Sequence, residues 1–270
     1  MQFFLHPDRI VIGTETEKAD KIMADVYSKI NAPVIHTNLN SAELIKHASN
    51  SFLSMKISFA NMVAQLCEKT GADIKTVMDG VGVDKRIGRE FLNAGLGYGG
   101  FCFPKDLDAF ISVLEEHKVD PSMLKSVKSI NEYQRSHVLQ MAKEMLGSLK
   151  GKTIGVLGLA FKPNTDDVRL SPACMLIEEL QKDGAKIRAC DPQAVDNAKK
   201  ILKNIAYCND AYEVAAGSDL LILATEWAEF KTMDLKKIKS KVDKFIDARN
   251  IFEPGKMKSL GFEYRSIGRS

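Results

Sequence analysis

The densest chemical signal in the sequence is Gly95-Leu-Gly97-Tyr98-Gly99-Gly100-Phe101-Cys102-Phe103-Pro104-Lys105-Asp106. Glycines at 95, 97, 99 and 100 let a backbone approach a ligand closely. Cys102 follows them, and Lys105 and Asp106 come directly after. A nearby cation, and a helix N-terminus if one begins near Pro104, would lower the thiol pKa and make Cys102 a nucleophile. A lone cysteine beside a flexible loop is more often buried and inert. The glycine cluster and the Lys/Asp pair tip the balance toward chemistry.

Lys46 and Asn50 form a second signal, four residues apart and so on one helix face. Together they could donate hydrogen bonds to a developing oxyanion, although the same spacing also suits a solvated stripe. A third lies in Gly158-Leu-Ala-Phe161-Lys162-Pro-Asn-Thr-Asp-Asp167-Val-Arg169, after an apolar run. It is placed like a nucleotide-binding turn without being a G-x-G-x-x-G turn, and none is read anywhere in the chain. Lys162 and Arg169 could meet phosphate, or simply solvate a loop. Thr225-Glu226-Trp227 and Asp247-Ala-Arg249-Asn250 follow apolar runs, at the strand ends where open α/β sheets bind ligands. The five histidines are scattered, and no metal site is expected.

These residues need elements to hold them. Residues 9–13 read as a buried strand, 33–37 as a second strand, and 15–30 as a helix with Ala19, Ile22, Met23, Val26 and Tyr27 on one face. A strand this early suggests an element of a larger sheet. Asn40, with Glu43 three residues on, reads as the cap of a helix running to Gly71, about 45 Å long. Its apolar residues cover more than one stripe, as in a central or dimer-forming helix. Helical stretches follow near 73–80, 86–93, 105–117 and 121–147. After Gly151 strands at 152–158, 185–191, 219–225 and 244–247 alternate with helices at 171–183 and 211–216, and 201–207 is ambiguous. That alternation implies a parallel sheet with helices on both faces.

Composition sets the outer bounds. The chain has 270 residues, 45% hydrophobic and 27% charged, with 38 basic against 35 acidic side chains. These values exclude a disordered tail, a collagen-like rod and a disulfide scaffold. The charge is too even for nucleic acid or a membrane surface as main partner. Five cysteines, an odd number without a C-x-x-C pair, fit reduced thiols and a cytoplasmic location. No apolar run reaches ~18 residues, so no membrane span is expected. The first nine residues do not read as a signal peptide.

Taken together, several stretches resemble the UDP-glucose 6-dehydrogenases of the UDP-glucose/GDP-mannose dehydrogenase family. They are Pro7-Asp-Arg-Ile-Val-Ile-Gly13, Ala42-Glu-Leu-Ile-Lys46 with Asn50, Lys56-Ile-Ser-Phe-Ala-Asn61, Asp84-Lys-Arg-Ile-Gly88, Gly97 to Asp106, Gly158 to Asp167, and Gly268-Arg269. The resemblance covers nearly the whole chain, in the family's order. It implies an α/β protein in three parts. Residues 1–38 would be a remnant of the N-terminal domain, 39–147 a helical dimerisation domain with the catalytic loop, and 148–270 a Rossmann-like UDP-sugar-binding domain.

It also implies NAD-dependent oxidation of the UDP-glucose C6 alcohol to a carboxylate. Cys102 would attack the aldehyde, Lys46 and Asn50 would hold the oxygen, and Asp106 would orient water or act as base. Arg86, Phe91, Leu92, Asn93, Gly95, Tyr98, Gly99, Phe161, Lys162 and Arg249 would contact the UDP-sugar, and Arg169 and Lys105 the NAD. A homodimer would form through the long helix. Relatives open with a Rossmann domain bearing G-x-G-x-x-G and then a glutamate-bearing stretch. Neither is read here, so the chain resembles their C-terminal part, and a separate Rossmann chain is a conceivable partner. The alternatives are a non-catalytic UDP-sugar-binding module, or a dehydrogenase of GDP-mannose or a UDP-N-acetylhexosamine. Phe101 and Ala248 replace the Ser and Gly of many relatives.

Overall fold

The computed structural model describes residues 5–269. The first four residues of the expected 1–38 remnant, and Ser270, lie outside the described residues. The chain divides into two compact units, one through Phe52 and one from Leu53 onward.

In the first unit, β1 (Ile10–Gly13) pairs parallel with β2 (Val34–Thr37), and α1 (Glu17–Tyr27) connects them. Thr16 starts α1 by accepting the Ala19 N–H on its hydroxyl at 3.2 Å. Asp20 on α1 meets His36 on β2 at 2.7 Å. A two-stranded sheet offers little cover. The apolar face of α1 is accordingly exposed at Ile22, Met23 and Val26, and β2 is exposed at Val34 and Ile35.

The long helix, α2 (Leu39–Thr70), begins in the first unit and continues through the boundary. Its cap is not Asn40. Asn38 takes the Ser41 N–H on its side chain at 2.8 Å, while Asn40 lies inside the first turn. Asn and Asp compete for caps through local geometry, and the asparagine that precedes the first turn wins.

The second unit joins helices and sheet around a main core, with a smaller cluster of Tyr98, Leu107, Ile111, Leu124 and Val127 beside it. α3 (Ile74–Val83), α4 (Cys102–Glu116) and α5 (Ser122–Leu146) precede a six-stranded parallel sheet of β3 (Thr153–Leu157), β4 (Lys186–Cys190), β5 (Ile205–Tyr207), β6 (Leu220–Leu223), β7 (Lys244–Asp247) and β8 (Glu263–Ser266). The spatial order is β5-β4-β3-β6-β7-β8, so strand order reverses between β3 and β6. The connecting helices are α6 (Pro172–Lys182), α7 (Val195–Ile201), α8 (Ala211–Ala215), α9 (Ala228–Lys231), α10 (Leu235–Lys239) and α11 (Pro254–Ser259). Leu220 to Leu223 are fully buried, as a strand covered on both faces must be. The ambiguous segment 201–207 resolves into the end of α7 and the short edge strand β5. No helix forms at 86–93. Asp84 folds the chain into a turn by accepting the Arg86 N–H at 3.0 Å on its side chain and the Ile87 and Gly88 N–H groups on its carbonyl. Gly88 and Phe91 then take positive φ, which no α-helix tolerates.

Gly268-Arg269 ties the sheet to the helices within this unit. Ile74 N–H donates to the Gly268 carbonyl at 2.9 Å, and Gly268 N–H to Glu68 at 2.8 Å. Arg269 pairs with Asp73 on one side and Glu253 on the other, at 2.8 and 2.7 Å. Arg269, followed by Lys75, holds the Glu253 carboxyl below its usual range. Gly268 has φ +69°, and an added Cβ would stand 2.7 Å from the Ala64 Cβ and 2.8 Å from the Ile74 Cβ. Gly268→Ala is therefore expected to cost about 3 kcal/mol, combining a left-handed alanine with overpacking. Urea denaturation checks this, and an unchanged midpoint would contradict it.

Candidate functional site

The strand-order reversal places three loops together: the one after β3, the one after β6 and the one after β7. With the glycine loop before α4 they border a cleft of about 300 Å³. Phe91, Asn93, Gly97, Tyr98 and Gly99 line it from the glycine side, and Phe161, Lys162, Glu226 and Arg249 from the sheet side.

The glycine loop is fixed by bonds that only glycine leaves room for. Leu96 N–H donates to the Ala248 carbonyl at 2.9 Å, and a Cβ on Gly95 would stand 2.8 Å from that same oxygen. Asn61, buried on α2, accepts the Gly95 N–H at 2.8 Å. Asn131 on α5 accepts the Tyr98 N–H at 2.8 Å and donates to the Tyr98 carbonyl at 3.1 Å. Gly99 lies so close to Leu170 that a Cβ would fall 2.1 Å from its carbonyl oxygen. The literal spacing G-x-G-x-x-G does occur, at Gly95, Gly97 and Gly100, which corrects the reading that the chain has none. It does not follow a strand, as a dinucleotide turn does, but runs into α4.

Arg249 is only 14% exposed along its side chain. Its Nε donates to the Ala224 carbonyl at 2.7 Å and its Nη1 to the Gly97 carbonyl at 3.1 Å, while Glu226 stands 3.3 Å from Nε. The guanidinium is thus held rigidly at the cleft wall. Asp247 shapes the turn that delivers it, accepting N–H groups from Arg249 and Phe252 and the Tyr264 hydroxyl. Burial pushes the Asp247 carboxyl up, against those donors. Phe103 joins the aromatic wall, 6.1 Å from the Phe91 ring and 5.9 Å from that of Tyr98. Burial raises the Tyr98 hydroxyl to about 12, so it stays a neutral donor.

Cys102 is exposed and is the first residue of α4, two residues before the expected start. Lys105 and Arg169 crowd around its neighbour Phe101, at 5.5 and 4.5 Å from the ring. Arg169 forks onto Asp167 at 3.0 and 2.7 Å, and that bond holds the Asp167 carboxyl down. Asp106 is 3% exposed and pairs with Lys105. Cys102 is thus exposed at a helix N-terminus, which suits a nucleophile.

The other expected residues are distributed unevenly. Lys46 and Asn50 stand one turn apart on α2 in the first unit, with Asn50 7% exposed. Leu92 is core, and Gly95 serves through its backbone. Arg86 points into solvent, 89% exposed and paired with Asp84, and does not line the cleft. The sequence reading quoted Asn61 only within a family-like stretch and gave neither it nor Asn131 a role. Nothing local shows which loop an asparagine will fasten. Among the described residues no group of three His, Cys, Asp or Glu could hold a metal, and no helix is long and apolar enough to cross a membrane.

Known proteins share this arrangement. Residues 40–133 match the central domain of the UDP-glucose/GDP-mannose dehydrogenase family, and residues 155–254 its UDP binding domain. A UDP-glucose 6-dehydrogenase of Bacillus subtilis is 45% identical over 98% of this chain and 58% of its own length. One from Rickettsia prowazekii is 44% identical over 98% of this chain and 63% of its own. The structure of a UDP-glucose dehydrogenase from Pyrobaculum islandicum superimposes with a TM-score of 0.92 at 39% identity, covering all of this chain and 60% of that one. The UDP-D-ManNAc dehydrogenase of Pyrococcus horikoshii follows with a TM-score of 0.84 at 27% identity, over 98% of this chain and 61% of its own. The chain thus spans about three fifths of the length of these relatives.

Proposed function

Since the chain belongs to the UDP-glucose/GDP-mannose dehydrogenase family, we propose that it carries the substrate-binding and acyl-forming part of a UDP-glucose 6-dehydrogenase. One observation carries this reading. The loop that lines the cleft through Gly97 and Gly99, together with the cations Lys162 and Arg249, runs on into an exposed Cys102, which itself lies outside the cleft lining.

The UDP-sugar lies in the cleft, its diphosphate met by Lys162 and Arg249 and its rings by Phe91, Tyr98 and Phe161. The Cys102 thiolate adds to the C6 aldehyde, and loss of hydride from that adduct leaves a thioester, which water cleaves to the carboxylate. Lys46 and Asn50 hold the developing oxyanion, and Asp106 orients the water. Arg86 reaches the sugar from a second copy of the chain. Arg169 and Lys105, both exposed beside Cys102, suit a phosphate of NAD, and NAD supplies the hydride acceptor when bound. The work is cytoplasmic, supplying UDP-glucuronate for polysaccharide synthesis.

In this reading residues 1–38 belong to a dinucleotide-binding domain, 39–147 to the dimerisation domain and 148–270 to the UDP-sugar domain. The bare apolar faces of α1 and β2 support completion of the first unit by further sheet, in the same or a separate polypeptide. Calorimetric titration with UDP, UDP-glucose, GDP-mannose and UDP-N-acetylhexosamines tests the substrate directly. Heat from UDP-glucose and UDP alone supports the reading, and no heat at millimolar ligand contradicts it. Heat from UDP-glucose together with failure of every reconstituted turnover assay would favour a non-catalytic binding module.

Phe59, Met62 and Leu66 on α2 are exposed and fall on one helical stripe. A second copy covers them in this proposal. Light scattering at micromolar concentration is expected to give a dimer, and Leu66→Asp a monomer. A monomeric parent chain would overturn the assignment.

A further inference from the structure

Asp191 follows β4, was not singled out by motif or spacing, and is the most heavily bonded carboxylate among the described residues. It is 8% exposed. Its Oδ2 accepts the Leu159 N–H at 2.7 Å, the Ala160 N–H at 3.0 Å and the Trp227 indole N–H at 3.0 Å. Its Oδ1 accepts the Gln193 and Ala194 N–H groups at 2.9 and 2.8 Å. Five donors from the loops after β3, β4 and β6 converge on one side chain.

The place of this convergence matters. Leu159 and Ala160 are the first residues beyond Gly158, at the end of β3 beside the strand-order reversal. In doubly wound sheets the backbone N–H groups there receive the phosphates of a bound dinucleotide. Here a carboxylate of the protein itself takes them. Next in sequence to these donors come Phe161 and Lys162, and next to Trp227 comes Glu226. All three face the cleft. Thr225 adds a further tie, donating its hydroxyl to the Ala160 carbonyl at 2.7 Å.

We infer that Asp191 is an internal anion that fills the phosphate position of the second sheet and thereby positions both sheet-side walls of the nucleotide cleft. It is a positioning residue, touching no ligand itself. The inference deepens the reading of the cleft as a UDP-sugar site and rests on it for the ligand. It also means that this sheet, although wound like a dinucleotide-binding one, offers no free phosphate turn at β3.

Asp191→Asn in the full chain keeps the volume, but one edge of the amide must face N–H donors with N–H groups of its own. Two measures are read on folded protein. The Kd for UDP is expected to rise at least ~10-fold, and amide exchange at Leu159 to Lys162 is expected to quicken. Emission from Trp227, the sole tryptophan, should shift to the red in the same variant. A merely structural carboxylate would lower the melting temperature and leave the UDP affinity of the folded fraction alone, and that result overturns the inference. Should the parent chain fail to bind UDP, the functional reading falls, and unquickened exchange at 159–162 still overturns the positioning role. Should Asp191→Asn not fold, Asp191→Ala is measured with and without formate. Restored protection and affinity with formate support the inference, and no response to formate overturns it.

Discussion

Cys102→Ala is expected to stop acid formation by at least ~10³-fold in an assembly competent for turnover. The reason is chemical before it is structural. An aldehyde must be captured by a group that adds readily and also leaves readily from an acyl carbon, and a thiolate does both. Cys102 is exposed at the first position of α4, next to Phe101, over whose ring Lys105 and Arg169 lie, so the change removes a sulfur without opening a core. The assay mixes the chain with a separately expressed dinucleotide-binding domain, UDP-glucose and NAD⁺, and follows both NADH and UDP-glucuronate. The other cysteines, Cys67, Cys174, Cys190 and Cys208, are buried. Burial raises the Cys174 thiol to about 12 and pushes Cys190 up as well, so neither can substitute as nucleophile. Near-normal turnover in the variant would sink the assignment.

Arg249→Ala is expected to weaken UDP binding on the order of 10²-fold, the usual size of losing a desolvated charge partner of a phosphate. Two carbonyls, from Ala224 and Gly97, hold the guanidinium before any ligand arrives, so little ordering is left for binding to accomplish. Glu226, 3.3 Å from Nε, offsets part of its charge. Arg249→Lys should recover only part of the affinity, since an ammonium cannot satisfy both carbonyls and the phosphate at once. Calorimetry decides, and an affinity within threefold of the parent would remove Arg249 from the site.

The legible parts of this molecule were those written locally. Strands β3, β4, β6 and β7 announce themselves as short apolar runs, and Cys102, Lys105 and Asp106 sit together in sequence. The apolar run at Leu220 to Leu223 has no other stable home than a doubly covered sheet. What escaped was decided by distant partners. The segment 86–93 has the composition of a helix, but the Asp84 turn and two carbonyls held by Lys56 Nζ at 3.0 and 3.1 Å keep it open. Asp191 looked like an ordinary acid after a strand, because its donors from the neighbouring loops, Leu159, Ala160 and Trp227, lie more than thirty residues away in one direction or the other. Strand β8 is polar at Glu263, Arg265 and Ser266 and lies at the sheet edge, where alternation weakens.

The Gly268–Arg269 tie bears on how the chain reaches this state during synthesis. Its bond to Glu68 closes a span of 200 residues, and that from Arg269 to Asp73 one of 196. Contacts so far apart in sequence slow folding, because closure entropy is lost before they form. The pocket that Gly268 fills between Ala64 and Ile74 stays open on the ribosome until the segment bearing Gly268 has emerged. The helices thus wait, incompletely packed, for that segment, and this is the interval in which a nascent chain most needs a chaperone.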